Sequence, residues 1–362
     1  MEEKARQLIG RLAATPDAAV PRLPFLHRAF TLPLLSAVSV ALRVSQILSS
    51  SRLRRRHALP VPVVSVGNIT WGGNGKTPMV EFLARAFHRL GVSPLLLTRV
   101  GLVPREKGFI LVVQGYAGGD EFRMLRRRLS DTSAKIGVGA KRAAVASSML
   151  QKYGYIPHSA ACNNLESGKI GVAILDDGMQ HWSLLRDVEI VMVNGLAPWE
   201  NTHFIPRGPM REPLRAFARA DIVVIHNADL VSDWNLRLDQ TKTIASEEQL
   251  GAIRSKIERN GAKCSVFYSR LTPSHIFEAN QPSRRLPLNV LKDKMVLCVS
   301  AIGCPDAFIH TVREVLYFFG HFSFSFHGIN LLFFWPCVLS SACCCNPIYH
   351  RRQCAHLPTC YC

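Results

Sequence analysis

Gly72-Gly73-Asn74-Gly75-Lys76-Thr77 is a run of residues that can hold a phosphate. Glycines let successive backbone N–H groups converge on anionic oxygens, and a lysine followed by a hydroxyl residue supplies one cation and one Mg2+ ligand. The apolar run "VPVVSV" (61–66) precedes it and a helical pattern follows from Thr77, which is the strand–turn–helix setting of a P-loop. In that setting Lys76 reaches the β- and γ-phosphates of a nucleotide, Thr77 ligates Mg2+, and the new helix adds partial positive charge at its N-terminus. Thr70 stands where the pattern G-x-x-x-x-G-K-[ST] has its first glycine.

A nucleotide bound with Mg2+ needs acidic partners. Asp176 and Asp177 end the apolar run "IGVAILDD" (170–177), and ligands of open α/β sheets sit at such carboxyl ends. Adjacent carboxylates point to opposite sides, so one can serve the metal while the other faces a neighbouring loop. Gln180 and His181 follow on the next turn. A second acidic pair, Asp120 and Glu121, follows the flexible "GYAGG" and opens the helical "EFRMLRRRL". A carboxylate there can accept a proton from an attacking hydroxyl, and Asp120 is equally suited to cap the helix. "FIPRGPMREPLRAF" (Phe204 to Phe217) offers Arg207, Arg211 and Arg215 beside Glu212, a set able to clamp a phosphorylated group.

The elements that must position these groups read as layers. Short Val/Ile/Leu runs at 61–66, 94–98, 135–139, 170–177, 188–194, 220–227, 264–269 and 294–303 do not alternate with polar residues, as expected of strands buried on both faces. Between them, Val80, Leu83, Ala84, Phe87 and Leu90 form a helical stripe. The expected fold class is α/β: a layered α/β/α P-loop NTPase-like domain with a second, smaller and incomplete α/β domain. The boundaries expected are a basic N-terminal targeting and membrane-associating segment over 1–58, a kinase-type domain over 59–210, the smaller domain over 211–314, and a Cys- and Phe-rich tail over 315–362. "NQPSRRLPLN" (Asn280 to Asn289) reads as a connector.

The 362 residues carry a formal net charge of +18, which calls for anionic partners. Residues 1–57 hold ten Lys/Arg against Glu2, Glu3 and Asp17, the composition of an organellar address. "FTLPLLSAVSVALRVSQIL" (Phe30 to Leu48) is apolar but interrupted by Pro33, Arg43 and Gln46. It reads as an interfacial helix, with the arginines after it near lipid headgroups, rather than as a span. A peripheral membrane contact through residues 30–56 is therefore expected, at the mitochondrial inner membrane or, as the alternative, in a plastid. No nucleic-acid motif accompanies the charge, so nucleic acid is not expected as a partner. Four cysteines scattered before residue 330 and seven after it do not form a secreted disulfide framework.

In order along the chain, "VPVVSVGNITWGGNGKTP", "LLLTR", "GYAGGDE", "ILDDGMQH", "RDVEIVMVNG", "IPRGPMREPL", "ADIVVIHNAD" and "VSAIGCPDAF" resemble the tetraacyldisaccharide 4'-kinase family. The family shares the non-glycine at the Thr70 position. The resemblance implies two α/β/α domains joined by a short β linker, ATP and Mg2+ as cofactors, and an N-terminal helix touching the membrane. It implies transfer of the γ-phosphate to the 4'-hydroxyl of an acylated glucosamine disaccharide 1-phosphate. By position it assigns Asp120 as general base, with Asp177 and Lys76 as further catalytic groups. It assigns Thr77 and Asp176 to the metal, and Tyr116, Glu121, Gln180, His181, Arg211 and Glu212 to the site lining.

Two segments depart from the family pattern. Val100 to Gln114 interrupt what is elsewhere a continuous "LLLTRGYAGGDE", and from Val315 the chain leaves the family sequence, including its "DHH" motif. Both read as translated intron. They leave open a non-catalytic or weakly active isoform that retains ATP binding.

Overall fold

The computed structural model describes residues 15, 17–52, 56–99, 104–105, 108–109, 120–157, 168–199, 201–231, 242–278, 281–291, 307–309 and 311–312. The chain divides into a unit from Met1 to Ser269 and one from Arg270 to Cys362.

The first unit is built on a seven-stranded parallel sheet. In chain order its strands are β1 (Val63–Asn68), β2 (Ser93–Thr98), β5 (Lys135–Val138), β6 (Ile170–Asp176), β7 (Val188–Asn194), β8 (Ile222–His226) and β9 (Ser265–Ser269). A two-stranded antiparallel ribbon, β3 (Pro104–Arg105) and β4 (Gly108–Phe109), lies within the segment that interrupts the family pattern. The spatial order of the large sheet is β5-β2-β6-β1-β7-β8-β9. Seven of the eight apolar runs are these strands, and the eighth, 294–303, lies outside the described residues. The core strands are buried along their length because helices cover both faces, which is why their sequences do not alternate.

Alternate residues of each strand feed different layers. On one face Val64, Val66, Leu96, Ile174, Ile190 and Met192 pack with Val80 and Ala84 of α2 (Lys76–Arg89) and Leu125 and Leu129 at α3 (Asp120–Arg128). On the other, Val63, Leu95, Leu97, Ala173 and Leu175 pack with Ala146 and Leu150 of α4 (Arg142–Tyr153). Further along that face Val191, Val193, Val223 and Ile225 pack with Phe217 and with Ile253 and Ile257 of α5 (Lys242–Arg259). Each fully buried Leu or Ile contributes about 1.5–3 kcal/mol relative to exposure. The division drawn from composition at residue 210 falls inside this sheet, since β7 on one side of it and β8 and β9 on the other are hydrogen-bonded neighbours. Polarity rises after 228 because α5 is a surface helix and β9 an edge strand, both half solvated.

Ahead of the sheet, residues 27–31 form a π-helical turn that runs into α1 (Leu32–Arg52). Its inner stripe is Leu32, Leu35, Ser39 and Arg43, at spacings of three and four. Phe30, Leu34, Val38, Val40, Leu42, Val44, Ile47 and Leu48 lie exposed around the rest of it. The helix from His27 to Leu48 has a mean hydropathy of 1.5 and is long and apolar enough to cross a bilayer by length and composition, whereas its sequence, with Pro33, Arg43 and Gln46, suggests an interfacial helix. The interrupting polar residues explain the difference: Ser39 and Arg43 are turned onto the protein, leaving the outward surface more apolar than the sequence average.

In the second unit, β10 (Ile276–Glu278) and β11 (Gln281–Leu286) form an antiparallel ribbon. Ile276 and Leu291 are buried there with Leu286, Leu288 and Val312. The stretch read as a connector at Asn280 to Asn289 is thus largely β11 and the start of a helical turn at Leu288–Leu291. A two-stranded ribbon has only edges, so Pro282 costs it no interior hydrogen bond.

Candidate active site

The loop after β1 lies at the carboxyl end of the central strand, where the chain order turns from β6 on one side to β7 on the other. Gly75 caps α2 in the left-handed region, at φ 76°, and Gly72 has φ 113°. Gly73 has a negative φ and is not required for conformational reasons. A Cβ on Gly75 would lie 2.5 Å from Cδ2 of His226, whose ring fills the space beneath the loop. Asn74 is buried and donates to the carbonyls of Thr70 and Gly72, both at 3.3 Å, so it holds the loop from within.

Thr70 is explained by its neighbours. It forms an antiparallel bridge with Met210, flanked by the Trp71 N–H to the Pro209 carbonyl at 2.7 Å and the Arg211 N–H to the Ile69 carbonyl at 2.7 Å. The backbone there is strand-like with negative φ, which any residue can adopt. Its buried hydroxyl lies 3.4 Å from Oδ1 of Asn74.

The acidic pair divides as its alternation requires. Asp176 ends β6, is buried, and accepts from Oγ1 of Thr98 at 3.2 Å. Burial and the neighbouring Asp177 raise its pKa. Asp177 turns into the left-handed region at φ 51° and accepts both guanidinium arms of Arg211, at 2.7 and 2.9 Å. Lys76 Nζ stands 3.8 Å from the same carboxylate. Burial pushes the Asp177 carboxyl upward, but the Arg211 hydrogen bonds and the Lys76 and Arg142 charges outweigh it and hold the pKa at about 2. Arg211 also donates to Asn68 Oδ1 at 3.1 Å, and Gln180 donates to the Asn68 carbonyl at 2.9 Å while its own Oε1 is buried without a partner. His181 pairs with Ser183 through Nε2 at 2.8 Å. Burial first, then the charges of Arg142, Arg186 and Arg99, lower its pKa to about 4, so it is neutral at physiological pH.

Lys76, Asp176, Asp177, Gln180, His181 and Arg211 therefore gather around the end of β1 and β6. Of the three arginines in the 204–217 loop only Arg211 belongs there. Arg207 is buried against Asp17 at 3.2 Å and Arg215 is exposed. Glu212 does not open toward the acidic pair either. It is buried, 3.5 Å from Arg43 of α1 and 3.5 Å from Arg219, and acts as a tie. Asp120 and Glu121 open α3, but their side chains, and Tyr116 entirely, lie outside the described residues.

Three contributors were missed in the sequence. Arg142, at the start of α4, is buried and donates to the Asp177 carbonyl at 3.2 Å. Thr98 holds Asp176, and Asn68 joins Arg211 to Gln180. Each lies at or just past the carboxyl end of a parallel strand (β5, β2 and β1), which is the signal that could have found them.

The site fits a nucleotide with Mg2+. Lys76, Arg142 and Arg211 surround two carboxylates, leaving positive charge for phosphate oxygens. The left-handed Gly75 and Gly72 give the loop the bend that a phosphate cradle requires. Mg2+ takes one or two protein oxygens and fills its remaining positions with water and phosphate. Thr77 and Asp176 offer such oxygens.

Comparison with known proteins agrees. The family model described as tetraacyldisaccharide-1-P 4'-kinase matches residues 27–327. The chain is 42% identical, over 86% of its own length and 74% of the relative's, to a probable mitochondrial tetraacyldisaccharide 4'-kinase of Arabidopsis thaliana. It is 35% identical to the tetraacyldisaccharide 4'-kinase of Syntrophus aciditrophicus, over 86% and 77% of the two chains. The fold is similar to that of LpxK from Aquifex aeolicus, solved in complex with ATP, with a TM-score of 0.52 and 22% identity over 80% of this chain and 78% of that one. The phosphate loop, the paired aspartates and the arginine that clamps Asp177 thus sit in a chain that belongs to the tetraacyldisaccharide-1-P 4'-kinase family.

Proposed function

We propose that this chain is an ATP-dependent kinase that phosphorylates the 4'-hydroxyl of an acylated glucosamine disaccharide 1-phosphate, in lipid A-type biosynthesis. The observation that carries this is the junction of Lys76, Arg211 and Asp177 at the end of the P-loop strand, in a chain of this family. When bound, Mg-ATP supplies the phosphoryl group and the metal charge that shields its oxygens. Gly72, Gly73 and Gly75 present backbone N–H groups to the phosphates, Asn74 holds the loop in shape, and Lys76 neutralises developing charge on them. Thr77 and Asp176 hold the metal. Arg211 fixes the Asp177 carboxylate in its ionised form beside Lys76, and Gln180 and His181 line the acceptor side. Asp120, at the first turn of α3, takes the proton of the attacking hydroxyl, and Glu121 and Tyr116 belong with it to the acceptor side.

The lipid substrate is reached from a membrane surface. Phe30, Leu34, Val40, Leu42, Val44, Ile47 and Leu48 of this helical segment are exposed large hydrophobics, and contiguous exposed apolar surface marks an interaction site. Its inner stripe is bonded to the loop at 203–212, and irregular backbone is not tolerated in hydrocarbon, so α1 lies in the interface rather than across it. The basic N-terminus and the mitochondrial plant relative support a mitochondrial location at the inner membrane.

The test is transfer of label from γ-labelled ATP to the tetraacylated disaccharide 1-phosphate by the full chain. Lys76→Ala and Asp120→Ala are each expected to lose at least about 100-fold in kcat. Normal transfer by both variants, or none by the unmodified chain, overturns the reading.

A further inference from the structure

Away from the acidic pair, a recess of about 190 Å³ is lined by Arg56, Arg186, Arg219, Trp182, Leu184 and Glu189. Its cations come from three separate segments: the basic run after α1, the return from β6 to β7, and the helical turn before β8. Three guanidinium groups face one carboxylate within it. The indole of Trp182 forms a wall, with Arg219 at 4.3 Å, Arg56 at 5.9 Å and Arg186 at 6.0 Å from its ring. Arg186 spends one arm on Glu189 and the other on the His181 carbonyl. That leaves Nε of Arg186 buried with no hydrogen-bond partner. Nε and Nη2 of Arg219 are likewise buried without one, although Nη2 lies 3.5 Å from Glu212. Buried charged donors are expensive to leave unmade, and native structures satisfy them with protein, water or a ligand.

We propose that this recess is a binding site for a phosphate-type oxyanion, either a free phosphate or the headgroup of an anionic lipid, held by Arg56, Arg186 and Arg219 against Trp182. A planar guanidinium offers the paired donors that a tetrahedral oxyanion accepts. The volume suits one such group with water. Arg186 bonds the His181 carbonyl and Arg219 pairs with Glu212, so an occupant is linked through these arginines to the acceptor side of the site and to the seat of α1.

The experiment follows Trp182 emission in the full chain while inorganic phosphate is added against chloride at equal ionic strength. In parallel, phosphatidylcholine vesicles with and without phosphatidic acid are added. A saturable change with phosphate supports the free-anion source. One seen only with phosphatidic acid vesicles supports the headgroup. In either case the change must vanish in Trp182→Phe and persist in Lys76→Ala, which separates it from phosphate in the nucleotide loop. Apparent affinity is expected to fall about ten-fold in Arg219→Lys, where the fork is lost but the charge kept, and about three-fold in Arg56→Ala at the exposed rim. No saturable change in either arm overturns the proposal. So does a change that both arginine variants leave intact, or one that pure phosphatidylcholine reproduces. Because Lys76→Ala retains the signal, this result and the kinase assay fail independently.

Discussion

Asp177 is held by opposing forces whose balance is measurable. Burial favours its neutral form, and the Arg211 fork with Lys76 favours the charged one strongly enough to reach a pKa of about 2. Arg211→Ala is expected to return that pKa toward the ordinary carboxylate range and to cost about 2 kcal/mol of stability, since a partly buried carboxylate loses a bidentate partner. Carboxyl carbon shifts and a urea titration would check both; an unmoved pKa would show that Lys76 and Arg142 suffice. His181 and Asp177 both titrate lower in the folded chain than in the unfolded one, so the unfolded chain binds the extra protons. Their contribution to stability is whole above pH 6.5. It falls as pH drops from 6.5 toward about 4 for His181 and from 3.8 toward about 2 for Asp177. Imidazole NMR should show His181 neutral down to pH 5. Gly75→Ala places a Cβ against His226 at a left-handed position, for a strain of about 1–2 kcal/mol before the clash, and ATP affinity measured by calorimetry should fall at least about ten-fold.

At the scale of elements, α1 and the loop at 203–212 form one mechanical piece. Ser39 donates to the Phe204 carbonyl and accepts from the Arg207 N–H, Arg43 lies 5.2 Å over the Phe204 ring, and Glu212 joins Arg43 to Arg219. The same loop bridges Thr70, so the seat of α1 is hydrogen-bonded to the phosphate loop. Replacing outward Leu34 and Leu42 together with Ser should reduce co-sedimentation with vesicles several-fold, because about 25 cal/mol of transfer energy is lost per Å² of apolar surface. ATP binding should be unchanged. Arg43→Met attacks the seat instead, leaves buried Glu212 with Arg219 alone, and should lower the melting temperature. If both variants behave alike in the vesicle assay, the division of α1 into an outward and an inner face is wrong.

For the molecule as a whole, the central sheet is complete without the two departures from the family pattern. Its seven strands lie between Val63 and Ser269, and the described residues of the interrupting segment 100–114 form the separate β3–β4 ribbon. Deleting 100–114, so that Arg99 joins Gly115, should leave the thermal transition of the sheet within a few degrees and preserve 4'-kinase activity. A loss of activity beyond about ten-fold, at unchanged stability, would make the segment part of the acceptor site.

Much of this was legible in the residues alone. Continuous Val/Ile/Leu runs mark strands covered on both faces, so the α/β class and seven strand positions could be read directly. Gly75-Lys76-Thr77 after such a run marks a phosphate loop, because local backbone chemistry suffices to specify it. The sequence also placed two aspartates at a strand end. Only the tertiary structure paired Asp177 with Arg211, 34 residues on, buried Arg142 beneath it, and withdrew Glu212 and Arg207 into the fold. Those outcomes depend on which strand ends become neighbours in the order β6-β1-β7-β8, and sequence spacing carries no record of that order. The same holds for Thr70. Its freedom from the glycine rule comes from a bridge to Met210, a partner that only folding brings alongside.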